Sequence, residues 1–206
     1  MKWFLVLVLA CFAAAADPPR IFFSRAFPGS TPEYIEIQLD KTGDVQYREA
    51  KDDDQPLKFH LDDSDTRTVF DLVEKVDFFK HPLESQLKVA FMGTKTFRYE
   101  NGDQKSEVKF NYSEDVNART LLDWFERMAE SAQHRIDLER AAKYDRLGVV
   151  KALTLLESAM MRKRLVGVDQ YLPILDRISK NETYMHTARA QASEIAEGIR
   201  AGKSTQ

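Results

Sequence analysis

The chain has 206 residues, 43% of them hydrophobic and 31% charged, with a formal net charge of −3. These are ordinary values for a globular chain of one or two domains. The slightly acidic balance argues against a nucleic-acid partner, because phosphate neutralisation needs clustered Lys and Arg.

The first residues carry a targeting pattern. Met1-Lys2 is a short positive region, Trp3 to Phe12 is apolar, and Ala13 to Ala16 supply the small residues read at a signal-peptide cleavage site. Residues 1–16 are therefore expected to be a signal peptide, with cleavage before Asp17. The competing reading is a membrane anchor. An apolar run ending by Ala16 falls short of the ~20 residues that span a bilayer core of about 30 Å. No transmembrane helix is expected after cleavage, and the mature chain is expected to be secreted or periplasmic. Cys11 is the only cysteine. Val8-Leu9-Ala10-Cys11 loosely resembles a bacterial lipobox, so lipidation through Cys11 is the alternative. With ordinary cleavage the mature chain has neither thiol nor disulfide.

Asp17-Pro18-Pro19 reads as an extended spacer. Ile21, Phe23 and Phe27 indicate a first strand, and Pro28 to Pro32 a loop. In Tyr34–Ala50, Ile35, Ile37 and Leu39 alternate with Glu36, Gln38 and Asp40. Side chains of a strand point to opposite faces with period two, so one face is apolar and the other wet. Gly43 supplies the turn, and Val45 and Tyr47 continue the apolar face. Leu57, Phe59 and Leu61 predict a further strand. Asp62-Asp63-Ser64-Asp65 is rich in capping residues, and a helix is expected from about Thr66 to Val76, closing on Phe78-Phe79. Its apolar stripe of Val69, Phe70, Leu72, Val73 and Val76 would cover the sheet. Leu87, Val89 and Phe91 predict a strand, as do Phe97 with Tyr99 and Val108 with Phe110, the latter two joined at Asn101-Gly102.

From Val116 the alternation disappears. Ala118, Leu122, Phe125, Ala129, Ala132 and Ile136 recur at helical spacing and predict a long helix to around Lys143. Leu147 to Met160 mark a second. A third is expected after Asp169 as its N-cap, with Pro173 in its first turn, and a fourth from Asn181. The expected fold is α+β: an antiparallel sheet with one covering helix (17–113), then an all-α helical extension (114–201) and a flexible tail (202–206).

The pattern of a Tyr-x-Ile-x-Ile strand, a Gly turn, a Tyr on the next strand and a helix closing in Phe-Phe is carried by Tyr34, Ile35, Ile37, Gly43, Tyr47, Phe70, Phe78 and Phe79. It resembles small exported bacterial domains of unknown function. The resemblance implies a fold and an exported setting, with no activity or site. Leu172 to Ile199 is similar to a HEAT-type helical hairpin, again without functional content.

Chemical signatures are sparse. His60, His81, His134 and His186 form no zinc motif. Glu130 with His134 and Glu182 with His186 are i,i+4 pairs, more often surface ion pairs than ligands. Asp52 to Asp54 and Asp62 to Asp65 lack the calcium-loop pattern and read as a solvated turn and a helix cap. No Gly-x-Ser-x-Gly elbow, Ser-x-x-Lys signature or glycine-rich phosphate cradle is present. Arg162-Lys163-Arg164 ends the second helix, where cations suit the dipole; an anionic partner is the sharper reading. Trp124 and Phe125 read as helix–sheet packing or as a protein-binding surface. Asn111 and Asn181 begin glycosylation acceptor patterns. No catalytic residue, cofactor or metal site is assigned. The function expected is a non-catalytic interaction module of the cell envelope with an unidentified protein partner. The alternatives are an envelope hydrolase with a cryptic site, or a small-ligand or metal carrier at the sheet–helix junction.

Overall fold

The computed structural model describes residues 18–202, and within them the strands follow the apolar alternation. They are β1 (Arg20–Ala26), β2 (Tyr34–Asp40), β3 (Asp44–Arg48), β4 (Leu57–His60), β5 (Thr94–Asn101) and β6 (Gln104–Phe110). All pair antiparallel in the order β4-β3-β2-β1-β5-β6. Ile21, Phe23, Ile35, Ile37, Leu39, Val45, Tyr47, Phe97, Tyr99, Val108 and Phe110 are buried on one face. The other face carries charge pairs such as Arg48 with Glu36 and Arg98 with Glu100, and Arg98 lies 4.0 Å from the Phe22 ring centre. A sheet covered on one side requires this division. The β2–β3 turn needs its glycine twice over. Gly43 has φ +94°, and a Cβ there would meet the Leu61 carbonyl at 2.6 Å.

The apolar face is covered by helix α1 (Asp63–Lys75) and by the first half of α2 (Val116–Tyr144). Asp62 caps α1 by accepting from the Asp65 amide at 2.8 Å, and the helix therefore starts earlier than the apolar stripe alone indicates. Asp115 caps α2 by accepting from Ala118 at 2.9 Å. Ala118, Leu121, Phe125, Met128 and Ala132 face the sheet. Between α1 and the rest of the sheet, Asp77, Phe78 and Phe79 adopt left-handed backbone, with φ of 49°, 52° and 63°. Phe79 stacks on Phe97 at 5.1 Å, Phe78 lies 5.0 Å from Tyr99, and Ser106 Oγ donates to the Phe78 carbonyl.

The chain ends in helices α3 (Gly148–Met161), α4 (Leu172–Lys180) and α5 (His186–Arg200). Two hydrophobic clusters divide the molecule, and they meet inside α2: Ala132 belongs to the sheet cluster and Leu138 to the helical one. The composition break at 113/114 thus marks where the strands end and the run of helices begins, while the packing break lies about five turns further along α2. Ser131 joins the two. Its Oγ accepts from the Val166 amide at 2.9 Å and its carbonyl from the Tyr171 hydroxyl at 2.8 Å. Gly167 (φ +57°) lets the linker pass β4, where a Cβ would meet the His60 carbonyl at 2.7 Å.

Three local expectations are corrected. Residues Leu87 to Phe91 form no strand; they belong to a loop. Asp169 does not cap α4, because Val168–Tyr171 is a 3-10 turn that runs straight into Leu172, with Pro173 in the first turn. Asn181 does not begin α5. Its side chain accepts from the Thr183 amide at 3.0 Å, a local turn that delays the helix to His186. The signal-peptide reading of 1–16, the lipidation reading of Cys11 and the tail beyond Gly202 lie outside the described residues. Among those described, no helix is long and apolar enough to cross a membrane.

Candidate functional site

The end of the sheet nearest the β1–β2 loop breaks the rule that governs the rest of it. Ile21 and Phe23 point at the helices, and the same period carries Arg25 to that face. Its cross-strand partners are Ile35 on β2 and Lys95 on β5, and Lys95 in turn pairs with Phe110 on β6. Two cations thus sit directly opposite each other on the helix-covered side, an arrangement that is destabilising by itself. Lys95 is only 5% exposed. Its ammonium donates to the carbonyls of Asn111 (2.7 Å), Met92 (3.3 Å) and Gly93 (3.5 Å), and burial pushes its pKa down. The guanidiniums of Arg25 and of Arg119, in the first turn of α2, have no hydrogen-bond or ion-pair partner among the described residues. Glu126 on α2 is the carboxylate facing this rung. Burial pushes its pKa up, with Arg25 and Lys95 opposing, and among the described residues it accepts no hydrogen bond.

Two clefts share Arg25 and Glu126 as a common wall. One, of about 490 Å³, is lined by the apolar side chains of Phe27, Met92, Phe110 and Leu122, with Lys95 and Arg119 among its polar ones. The other, of about 480 Å³, is the one richer in titratable and polar side chains, among them Tyr47, Glu130, His134 and Arg164. In the polar cleft His134 is held toward its neutral form by burial, against the pull of Glu130 and Asp137. Tyr47 donates to Glu49 at 3.1 Å, and burial pushes its hydroxyl pKa well up. Neither serine nor cysteine lines this cleft. It offers proton donors and acceptors in Tyr47, Glu130, His134 and Asp137.

Beside the apolar cleft a ridge projects into solvent. Residues 86–92 are all exposed, with Leu87 at 55%, Val89 at 39%, Phe91 at 57% and Met92 at 44%. A segment lying against the body would bury alternate side chains, so consecutive exposure marks a projection. Polar groups hold its base. Ser85 N donates to the Tyr112 carbonyl, Met92 N to Asn111 Oδ1 (2.7 Å), and Asn111 Nδ2 to the Ala90 carbonyl (3.0 Å). Glu84 takes the Asn111 amide, and Phe91 meets Phe27 edge-on at 6.0 Å.

The residues singled out from sequence are mostly dispersed. His60 pairs with Asp44 and His81 with Asp77, both exposed. Glu182 lies in the turn before α5 and shares no helix with His186. Hydrogen bonds from Asp65 and Ser64 hold the Asp62 carboxyl below its usual range although burial opposes them, as a cap requires. Asp53 takes the Gln55 amide in a local turn. Arg164 bridges Asp123 (2.6 Å) and Glu130 (3.0 Å) on α2, so that cation serves internal bracing. Phe125 is fully buried and stacks on Phe23 at 5.1 Å, while Trp124 is partly buried beneath Arg127. Asn111 braces the ridge, and Asn181 sits in an exposed turn. Among the described residues no group of three or more His, Cys, Asp or Glu is placed to hold a metal ion.

Sequence reasoning missed Arg25, Lys95, Arg119 and Glu126. The signal for the first two was present: each continues an apolar strand period, Phe23 to Arg25 and Phe97 to Lys95, into a charge. No family model matches the chain, and comparison with curated proteins finds no relative. The fold alone defines its class, an α+β sheet domain continued by helices.

Proposed function

We propose that the chain is an exported, non-catalytic binding module of the cell envelope that engages a protein partner through the ridge at 86–92. The observation that carries this reading is the cluster of four large apolar side chains held in solvent by Glu84, Ser85 and Asn111. Contiguous exposed apolar surface costs solubility and is otherwise a mark of interaction. A projection requires a concave counterpart, and Lys88 at its centre favours a groove rimmed by carboxylates. The contact is small beside the ~800 Å² per partner of a stable complex, which fits transient engagement. The signal-peptide pattern at 1–16 supports the envelope setting.

The test is paired. Intact-mass analysis of the exported protein is expected to give a mature chain beginning at Asp17. Cross-linking in envelope extracts is expected to recover an acidic-surfaced partner with the natural chain and to lose it in the Leu87→Ser/Phe91→Ser double variant, whose Tm stays within a degree or two. A partner retained at full yield by that variant would remove the ridge from the interface.

A further inference from the structure

We propose that the cleft behind the ridge binds an amphipathic anion, a single carboxylate or phosphate on an acyl tail, with Arg25 as headgroup anchor and Arg119 at the mouth. Charge is the first argument. The lining carries three cations, Arg25, Lys95 and Arg119, against the one carboxylate of Glu126. Lys95 is held by three carbonyls and is not free to reach a ligand. Arg25 and Arg119 are unpaired, and an Arg fork matches carboxylate or phosphate in a bidentate manner. If Arg25 were present only to neutralise Glu126, the two would be expected to close into an ion pair. They do not, and burial favours the protonated form of Glu126.

Shape is the second argument. The cleft is lined by the apolar side chains of Phe27, Phe110, Leu122 and Met92, and its volume of about 490 Å³ lies within the ~300–1,000 Å³ of small-molecule sites. A tail would lie on those side chains. The headgroup would sit at Arg25, where the apolar cleft meets the polar one. Apolar burial supplies affinity there and the guanidinium supplies orientation. The site shares Met92 with the ridge, and Phe27 and Asn111 of its lining touch the ridge at Phe91, Met92 and Ala90.

The experiment uses the full mature chain in calorimetric titration with dodecanoate, dodecyl phosphate, dodecan-1-ol and dodecyltrimethylammonium, all below their aggregation limits. The expected result is saturable one-site binding of either anion or both, with the neutral and cationic tails at least tenfold weaker. Whichever anion binds more tightly identifies the headgroup. Arg25→Gln is expected to weaken anion binding at least tenfold, and Arg119→Gln less, with unfolding midpoints at or above that of the natural chain. The single variant Leu87→Ser, which leaves the contact of Phe91 with Phe27 in place, is expected to bind as the natural chain does, which separates this site from the ridge. Equal binding of all four tails, undiminished binding by Arg25→Gln, or no saturable binding of either anion would overturn the proposal.

Discussion

The sheet cluster is closed by aromatic rings. Phe97 lies 5.1 to 5.7 Å from Phe23, Phe79, Phe110 and Phe125. The helical cluster closes on Leu153, Leu156, Leu175 and Ile178 with small residues, Ala159, Ala188, Ala192 and Ala196, between them. Wide rings fill the space between a pleated sheet and one long helix, whereas alanines let helices approach closely. The two halves also differ in how far they obey the ordinary rules. In the helical half Arg200 pairs with Asp176 through both oxygens, and exposed apolar residues such as Leu155 and Met161 are scattered singly. In the sheet half the rung of Arg25 and Lys95, the solvent-exposed ridge and three successive left-handed residues, Asp77 to Phe79, occur together, whereas the helical half has one isolated non-glycine left-handed residue, Lys163, among the described residues. Departures of this kind concentrate where a protein does something other than fold.

That contrast can be broken by mutation. The largest effect is expected at Phe125→Ala, which removes a fully buried ring at the centre of the sheet cluster and should cost about 3–5 kcal/mol in denaturant unfolding. Leu156→Ala, its counterpart in the helical cluster, should cost about 2–5 kcal/mol. Next is Ser131→Ala, which leaves the buried Val166 amide without its acceptor and should cost about 1–3 kcal/mol. It also tests whether the two clusters unfold together. Trp124, beside the sheet cluster, reports that half by fluorescence, and circular dichroism weights the helices. The two transitions should coincide in the natural chain and separate in the variant; if they still coincide, packing along α2 is what couples the halves.

Asp77→Gly works in the opposite direction. Glycine relieves a left-handed residue, and the exposed pairs of Asp77 with Lys80 and His81 are worth little. The midpoint should correspond to a gain of about 0.5–1 kcal/mol, and a loss would mean that the turn depends on those pairs. The smallest effect is expected at Glu126. Its folded pKa lies above the ordinary value, so the folded state holds its proton more tightly than the unfolded state does. The stability it contributes is present below the usual glutamate pKa of about 4.3 and is lost as pH rises through the folded value. Glu126→Gln should therefore be slightly more stable than the natural chain at pH 7, by less than about 1 kcal/mol because the site is partly solvated, and no more stable at pH 3.5. A variant less stable at pH 7 would show that the charge of Glu126 is needed beside Arg25.

Much of the sheet was legible because period two and period 3.6 are local properties. Ile35, Ile37 and Leu39 show which face is buried without knowledge of their partners, and Asp62 marks a helix start by its own chemistry. The ridge was misread for the same reason. Leu87, Val89 and Phe91 alternate as a strand does, yet β-propensity reflects packing against neighbours, and the chain there is held by Asn111 and Tyr112 instead of a sheet partner. Asp169 and Asn181 were credited as helix starts on residue type, while the linker pinned to Ser131 and the turn at Thr183 fixed where the helices begin.

Sequence by itself thus determined the class of fold, six strands and the run of helices, since each follows from spacing along the chain; it added a strand at Leu87 to Phe91, and on α2 it marked Leu122, Ala129 and Ile136, which are partly buried, where Leu121 and Met128 are fully buried. Tertiary structure alone decided that Arg25 and Lys95 share a rung, that Glu126 faces them from a helix distant in sequence from both, and that a strand-like segment stands free in solvent. Those are relations between distant residues, set by register and by competition for partners, and no local period records them.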